Sequence, residues 1–229
     1  MLYSLNSAGL SRSKFLSIRS LSVFILLSWL VLTSFNVPEN EVIKCDGIVN
    51  KQEWEGANEY PLTQGGKVLY KKTDNVLYIA MISNAKSWGH VYLSVGESVK
   101  IMHASAALGT IHYKNSNGTW QCFDSIIKWE IRDRVFNNET ITKMEEYYKK
   151  NGWVANNENM GDGMTIEFKI DISKLDNKTG SIAFVMADYD VNLQWFPATL
   201  NDDTILPKLL QETIKTNMNF KPDTWKKIE

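Results

Sequence analysis

The sequence predicts a mostly β protein, an antiparallel β-sandwich with one or two short helical insertions. Three observations favour this fold class. Short segments rich in Val, Ile, Tyr and Leu recur along the chain, turn residues separate them at the spacing of a sandwich, and 44% of the 229 residues are hydrophobic. That content is enough for one substantial core.

The predicted strands follow the alternation of apolar residues and the turn signals between them. They are expected at 67–71, 76–83, 90–95, 100–102, 109–113, 120–123, 126–131, 164–170 and 181–188. The stretch 115–118, which reads Asn-Ser-Asn-Gly, predicts a tight hairpin because Asn and Gly tolerate positive φ angles. The nearly continuous apolar run at 181–188 is typical of a strand buried on both faces.

Two segments have the pattern of helices instead. Residues 140–150 are amphipathic, begin at Thr140 and are followed by Asn151 and Gly152, which stop a helix. Residues 206–217 are the second candidate, with Pro207 tolerated in the first turn. Both are expected as insertions packed on the sandwich.

The first 36 residues have the pattern of an export signal. Arg12, Lys14 and Arg19 precede an uncharged apolar run at 21–35. This run is shorter than the roughly 20 residues that cross a bilayer, which favours a signal peptide over a permanent anchor. We therefore expect a leader or membrane anchor at 1–36, a linker at 37–44 and a folded domain at 45–229. The domain would be exported to the periplasm, the cell surface or the medium, and membrane association would run through 21–35.

The charge balance argues against nucleic acid as a partner. Without the leader the chain has 22 basic and 26 acidic side chains, a net charge of −4. Affinity for nucleic acid depends on clustered Lys and Arg that neutralise phosphates, and no such cluster occurs.

Cys45 and Cys122 leave two interpretations open, a disulfide in an oxidising compartment or two separate thiols.

Several motifs occur in an order that resembles a known family. Asp46 and Gly47 open a D-G-x5-E-W-x2-A pattern that includes Trp54, and a D-N-V-L-Y-I-A segment follows at 74–80. Residues 165–175 contain a strand with Glu167 and end in Leu, and 195–197 read Trp-Phe-Pro. This arrangement resembles family 9 carbohydrate-binding modules and related DOMON-like domains.

The resemblance implies a DOMON-like sandwich of jelly-roll or immunoglobulin-like type that binds a saccharide and performs no catalysis. We therefore expect a non-catalytic carbohydrate-binding protein, exported or tethered to a membrane. Trp54 and Ala57 are expected to pack in the core and to leave ligand binding to other residues. Glu167 is expected to be a solvated or bridging carboxylate.

Four residues are predicted to contact the ligand. Sugar binding requires flat aromatic faces and polar groups that fix hydroxyls. Trp195 stands in the Trp-Phe-Pro motif, and Trp88 in a polar segment that is typical of a loop. His103 lies among small residues that permit close approach, and Arg132 follows a candidate strand.

Alternative functions stay open at this point. A haem-binding electron-transfer domain would need axial Met or His ligands, and the candidates are Met81, His90, Met102, His103 and Met186. Calcium could bind the acidic residues Asp188, Asp190, Asn192, Asp202 and Asp203. An enzyme or an enzyme accessory subunit is less favoured, because no motif for a nucleophile and base or for a catalytic metal is present. Otherwise no cofactor is expected.

Overall fold

The computed structural model describes residues 43–123, 128–131, 138–160, 162–173, 180–190, 192–200 and 217–228, with backbone only at 128–131, 138–140 and 159. Within these residues the chain is mostly β and every pair of hydrogen-bonded strands is antiparallel. The strands form two sheets that pack as a sandwich, which confirms the predicted fold class.

The smaller sheet has the strand order β1-β2-β3-β10-β9. Its members are β1 (Asn58–Pro61), β2 (Lys67–Thr73), β3 (Val76–Ser83), β9 (Trp153–Met160) and β10 (Gly163–Asp171).

The larger sheet has the order β12-β11-β4-β5-β6-β7-β13, with β8 paired to β6 and β14 paired to β11. Its members are β4 (Ser87–Val95), β5 (Ser98–Ala104), β6 (Leu108–Ser116), β7 (Thr119–Cys122), β8 (Lys128–Ile131), β11 (Gly180–Asp188), β12 (Leu193–Phe196), β13 (Asn217–Met218) and β14 (Lys226–Lys227).

The main core lies between the two sheets. Strand alternation sends one face of each sheet inward, so that Ile79 and Phe168 of the smaller sheet pack with Val91 and Phe184 of the larger sheet. Trp153 and Phe168 are stacked with ring centroids 6.2 Å apart. This shared cluster of buried side chains holds the sandwich together.

A second cluster covers the outer face of the larger sheet. Tyr92 and Tyr113 on the strands pack against Phe220 and Trp225 of the C-terminal segment. The indole of Trp120 also donates a hydrogen bond of 3.0 Å to the carbonyl of Phe220. The larger sheet is therefore apolar on both faces here, which explains the continuous apolar run predicted for β11.

The helix α1 (Asn138–Asn151) confirms the predicted helical insertion, although it begins two residues before Thr140. It ends at Asn151 and is followed by Gly152, whose φ of +71° is the left-handed conformation that favours glycine after a helix. The second predicted helix lies outside the described residues at 206–216, and its last residue, Asn217, is in β13. In the part of the chain that the structure describes, no helix is long and apolar enough to cross a membrane.

The predicted hairpin at 115–118 is confirmed, with φ of +54° at Asn117 and +85° at Gly118 between β6 and β7. The predicted strands match β2 to β8, β10 and β11, although 126 and 127 lie outside the described residues. Strands β1, β9, β12, β13 and β14 were not predicted. In β1 and β9, the Pro-containing and Asn-rich sequences have turn propensity, which the pairing of β1 with β2 and of β9 with β10 overrides.

Candidate functional site

The register of the larger sheet places several polar and aromatic residues in one row on its outer face. Trp195 of β12 pairs with Val185, Val185 pairs with His90, and His90 pairs with His103. The next residue in the row is Gly109 of β6. Because directly paired residues of antiparallel strands point to the same face, this row brings together residues from five strands.

The two histidines are in direct contact. The Nδ1 atoms of His90 and His103 lie 3.4 Å apart, and the ring centroids lie 4.7 Å apart. His103 is fully buried and His90 is 2% exposed. Burial lowers the pKa of His90 to about 3, so its ring is neutral at physiological pH. One ring must therefore donate the shared hydrogen bond and the other must accept it.

Ser105 fixes the other side of His103. Its Oγ lies 3.0 Å from Nε2 of His103 and accepts a hydrogen bond from the backbone N–H of Ala107. Both nitrogens of the His103 ring thus have partners. This polar arrangement explains how a histidine is accommodated at a position with no solvent exposure.

Aromatic side chains lie at the rim of this face. Trp88 lies at the start of β4, paired with Ala187 and only 8% exposed, so the prediction that it stands in a loop was wrong. Its ring meets Tyr189 edge-on, with centroids 5.8 Å apart, and Tyr189 is 70% exposed. Tyr189 lies in the turn between β11 and β12, where Asp188 accepts hydrogen bonds from the backbone and side-chain amides of Asn192.

Trp195 is half-buried on β12, against the cluster on the outer face of the larger sheet. Its backbone N–H donates a hydrogen bond of 3.2 Å to Oγ1 of Thr63. Within the described residues its indole N–H has no hydrogen-bond partner. Trp195 therefore has a fixed backbone position, and the residue is partly exposed to solvent although its Nε1 is buried.

The structure brings three of the four predicted ligand residues, Trp88, His103 and Trp195, to one face of one sheet. Arg132 lies outside the described residues. The sequence did not indicate Tyr189, and it indicated His90 only as a candidate haem ligand and not as a residue of the saccharide site. A tyrosine inside the polar turn D-Y-D-V-N at 188–192 was the available signal, because exposed aromatic residues in turns are unusual.

We define the candidate site as Trp88, His90, His103, Tyr189 and Trp195. Exposed aromatic surface on Tyr189 and Trp195 suits the apolar face of a sugar ring. Behind it, the buried rings of His90 and His103 are hydrogen-bonded to each other, and the lowered pKa of His90 keeps that ring uncharged. Such an arrangement is suited to a neutral, polar ligand with flat apolar faces.

Glu167 has a structural role in this molecule. It is 1% exposed, and its carboxylate accepts hydrogen bonds from the backbone N–H groups of Asp46 and Gly47 and from the indole of Trp54. Of the two predicted alternatives, a solvated or a bridging carboxylate, Glu167 is therefore the bridging one. Trp54 is buried against Tyr78 and Ala80 on the outer face of the smaller sheet, and Ala57 packs against the same cluster, as predicted.

The residues named as haem ligands fall on opposite faces of the larger sheet or in the core. Met81, Met102 and Met186 lie in the cluster between the sheets, whereas His90 and His103 face outward.

Of the candidate calcium ligands, Asp188 accepts a hydrogen bond from the side-chain amide of Asn192, and residues 202 and 203 lie outside the described residues. Among described side chains, no group of three or more His, Cys, Asp or Glu residues could hold a metal ion.

The two cysteines are separate thiols. Cys45 packs beside the core between the sheets, and its Sγ donates to the carbonyl of Glu167 at 3.3 Å. Cys122 packs beside the cluster on the outer face of the larger sheet. The sequence left open a disulfide or two separate thiols, and the structure contains two separate thiols.

Comparison with known proteins returns solved structures of similar architecture. Two are family 9 carbohydrate-binding modules from Caldicellulosiruptor kristjanssonii. The one in complex with cellotriose has 13% identity and a TM-score of 0.40 and covers 82% of this chain and 89% of that chain. The one in complex with glucose has 13% identity and a TM-score of 0.36 and covers 67% and 80%.

A third similar structure is a protein from Bacteroides uniformis assigned as carbohydrate-binding, with 9% identity, a TM-score of 0.39 and coverage of 75% of this chain and 85% of that chain. No protein-family model and no curated protein matches this chain. The family that the sequence motifs resemble is thus also the family of two of these similar structures. We base the functional proposal on the chain's own side chains.

Proposed function

We propose that this protein is a non-catalytic carbohydrate-binding protein and that its saccharide binds on the outer face of the larger sheet. The observation that carries the proposal is the pair of accessible aromatic residues, Trp195 on β12 and Tyr189 in the turn after β11, with the buried His90–His103 pair behind them in the register row of Trp195. Accessible aromatic faces are a main requirement for recognition of a pyranose.

The strand geometry supports two aromatic contact points. Trp195 and Trp88 are separated by two strand spacings across the sheet and two residues along it. With about 4.8 Å between strands and about 3.4 Å per residue, their Cα atoms are roughly 12 Å apart. Tyr189, in contact with Trp88, extends the second point toward solvent. A ligand that contacts both points is therefore longer than one flat ring.

A glycan-array screen of the purified protein, followed by calorimetry with any saccharide that binds, tests the proposal. Truncation of Trp195 or Tyr189 to alanine is expected to weaken binding about tenfold or more, as for central aromatic contacts in other interfaces. Phe123→Ala is the matched control, because Phe123 is an exposed aromatic residue (66%) just after β7, four strands away from β11.

Binding that is unchanged in both Trp195→Ala and Tyr189→Ala, with the fold retained, would rule out this face. Equal losses in Phe123→Ala would show a general effect of removing surface aromatics. The purified protein is also expected to lack the Soret band of haem, and the presence of that band would favour the electron-transfer alternative.

We also propose that the chain is exported, either with the leader removed or with the leader kept as a membrane tether. The support is the sequence of residues 1–36, with three basic residues ahead of the uncharged run at 21–35. A fusion of residues 1–36 to a reporter enzyme that is active only outside the cytoplasm tests export. The intact mass of the recovered protein then distinguishes cleavage from retention.

A further inference from the structure

A cavity of about 740 Å³ lies between α1 and the N-terminal segment at 43–46, on the outer face of the smaller sheet. Strands β9 and β10 contribute Val154, Asn156 and Lys169, and the pairing of Val154 with Lys169 places these side chains on one face. The candidate saccharide site lies on the other sheet, and the two sites share no residue. The volume falls within the range of small-molecule sites, about 300–1,000 Å³.

One face of α1 forms a long wall of the cavity. The helix residues that line it follow the spacing i, i+3, i+4, i+7 and i+8, which keeps them on one side of a helix, and they are Ile141, Met144, Glu145, Tyr148 and Lys149. From Ile141 to Lys149 this wall extends over about 12 Å of helix. An elongated ligand therefore matches the wall better than a single compact ring.

The interior of the cavity is apolar. Ile43, Met144 and Val154 are buried and line it from three different elements, the N-terminal segment, the helix and β9. Ile141, on the same wall as Met144, is 41% exposed. Hydrocarbon surface of this kind favours contact with an apolar group over contact with water.

Two neutral polar side chains of the walls already have partners in the protein. The amide of Asn156 donates a hydrogen bond of 2.6 Å to the carbonyl of Cys45. The thiol of Cys45 in turn donates to the carbonyl of Glu167 at 3.3 Å. These contacts hold the N-terminal segment against β9 and β10, and they leave the two side chains less available to the hydroxyl groups of a sugar.

The charged residues around the cavity are three lysines and two acids, namely Lys44, Lys149, Lys169, Asp46 and Glu145. The ammonium of Lys169 lies 4.7 Å from the ring centroid of Tyr148, a contact that positions the charge without neutralising it. Within the described part of the chain, none of the three lysines is in an ion pair. Asp46 uses one carboxylate oxygen in its own loop, where it accepts from the backbone N–H of Ile48 at 2.9 Å. The charge balance at the cavity therefore favours an anionic group.

We propose that this cavity binds a free fatty acid, with the acyl chain along the wall from Ile141 to Tyr148 and the carboxylate beside Lys149 and Lys169. Lys149 follows Tyr148 in the helix and Lys169 lies over the Tyr148 ring, so both ammonium groups are at the same end of the wall. The apolar interior accounts for the chain and the lysines account for the carboxylate. This inference does not depend on the proposed saccharide binding.

The test titrates the purified protein with decanoate, with decanol, which has the same chain without the charge, and with acetate, which has the charge without the chain. Methyl signals of labelled Ile and Met residues are recorded by NMR, with decanoate below the concentration at which it forms micelles. Decanoate is expected to shift the signals of Ile43, Ile141 and Met144. Decanol should bind about three- to tenfold more weakly, and acetate should cause no shift. Added salt should weaken the binding of decanoate but not that of decanol.

Ile141→Ser is expected to weaken decanoate binding about three- to tenfold through the loss of apolar contact. Ile48→Ser is the matched control, because Ile48 is also an exposed apolar residue (52%) but does not line the cavity, and it should change the dissociation constant less than twofold. Lys149→Gln should weaken decanoate binding about threefold and leave decanol binding unchanged. Lys114→Gln, on β6 of the other sheet, should change neither.

The absence of decanoate-induced shifts at Ile141 and Met144 would overturn the proposal, as would equal losses of affinity in Ile141→Ser and Ile48→Ser. Equal affinity for decanoate and decanol would overturn the carboxylate site. Binding to vesicles of phosphatidylglycerol without binding to monomeric decanoate would indicate a surface that contacts membranes, and it would also overturn the proposal.

Discussion

The indole Nε1 of Trp54 donates a hydrogen bond of 2.9 Å to Oε1 of Glu167, which lies 113 residues later in the chain. The other carboxylate oxygen of Glu167 accepts from the backbone N–H groups of Asp46 and Gly47 at 3.1 and 2.9 Å. Three donors from the N-terminal segment thus converge on one buried carboxylate of β10. This contact fastens the N-terminal segment to the smaller sheet.

The stability of the protein should depend on pH through Glu167. Burial is the main cause that raises the pKa of Glu167 from 4.5 to about 7, against the effect of its hydrogen bonds. The folded state therefore binds a proton more tightly than the unfolded state. Its contribution to stability is complete below pH 4.5 and is lost as pH rises to about 7, by about 3 kcal/mol.

Urea unfolding at pH 5 and pH 8 measures this dependence. Glu167→Gln removes the titrating group while an amide oxygen remains to accept a hydrogen bond, so the free energy of unfolding at pH 5, relative to that at pH 8, should fall by about 2.5 kcal/mol. Equal pH dependence in the variant and the unmodified protein would show that another group is responsible.

Trp54→Phe is expected to destabilise the fold by about 2 kcal/mol beyond the loss of ring volume, because it leaves a buried carboxylate oxygen without its donor. Trp225→Phe is the matched control. Trp225 is equally buried, at 4% against 5% exposed, but within the described residues its indole N–H has no hydrogen-bond partner. Thermal unfolding of both variants gives the comparison, and equal losses would contradict a role for the Trp54–Glu167 bond.

His90 should make the protein sensitive to acid. Burial lowers its pKa from 6.5 to about 3, so the folded state binds a proton less readily than the unfolded state. Stability is complete above pH 6.5 and is lost as pH falls below it, by about 2 kcal/mol at pH 5. His90→Gln should flatten this part of the stability profile, measured by chemical denaturation between pH 7 and pH 5. An unchanged slope would mean that His90 is not the group that senses acid.

The sequence predicted the sandwich and most of its strands because side-chain alternation and turn chemistry are local properties. The hairpin at Asn117 and Gly118 is an example, since its residues alone permit the required φ angles. Strand β9 could not be predicted in this way. Its Asn-rich sequence forms a strand because β10, the next strand along the chain, supplies the hydrogen-bond partners.

The candidate site was predicted by residue type but not by arrangement. Trp88, His103 and Trp195 were selected because their chemistry fits a sugar, and register then places them on one face. Register is set by the pairing between strands, so no local sequence pattern joined His90 on β4 to His103 on the adjacent β5. For the same reason the three hydrogen-bond donors to Glu167 were not predicted. The sequence analysis recognised the D-G-x5-E-W-x2-A pattern that supplies the donors and the segment 165–175 that contains Glu167, but it did not connect them.

The packing of Gly47 against β9 provides the last prediction. Gly47 has a φ of +91°, and a Cβ added there would lie 2.7 Å from the backbone carbonyl carbon of Asn157. Its carbonyl oxygen also accepts a hydrogen bond from Thr165, so the segment cannot move away without losing contacts. Gly47→Ala therefore combines backbone strain with a clash against backbone and should cost several kcal/mol, roughly 3 or more.

Gly65→Ala separates these two causes. Gly65 has nearly the same φ of +89°, but nothing lies within 4 Å of an added Cβ. The Gly65→Ala variant should therefore be destabilised only by the conformational cost of a left-handed backbone at a non-glycine residue, about 1–2 kcal/mol. Chemical denaturation gives the free energy of unfolding of both variants. The difference between the two losses measures how tightly the segment around Gly47 packs against β9. If Gly47→Ala is no more destabilised than Gly65→Ala, the segment can shift to make room, and the contact with Glu167 does not hold it firmly.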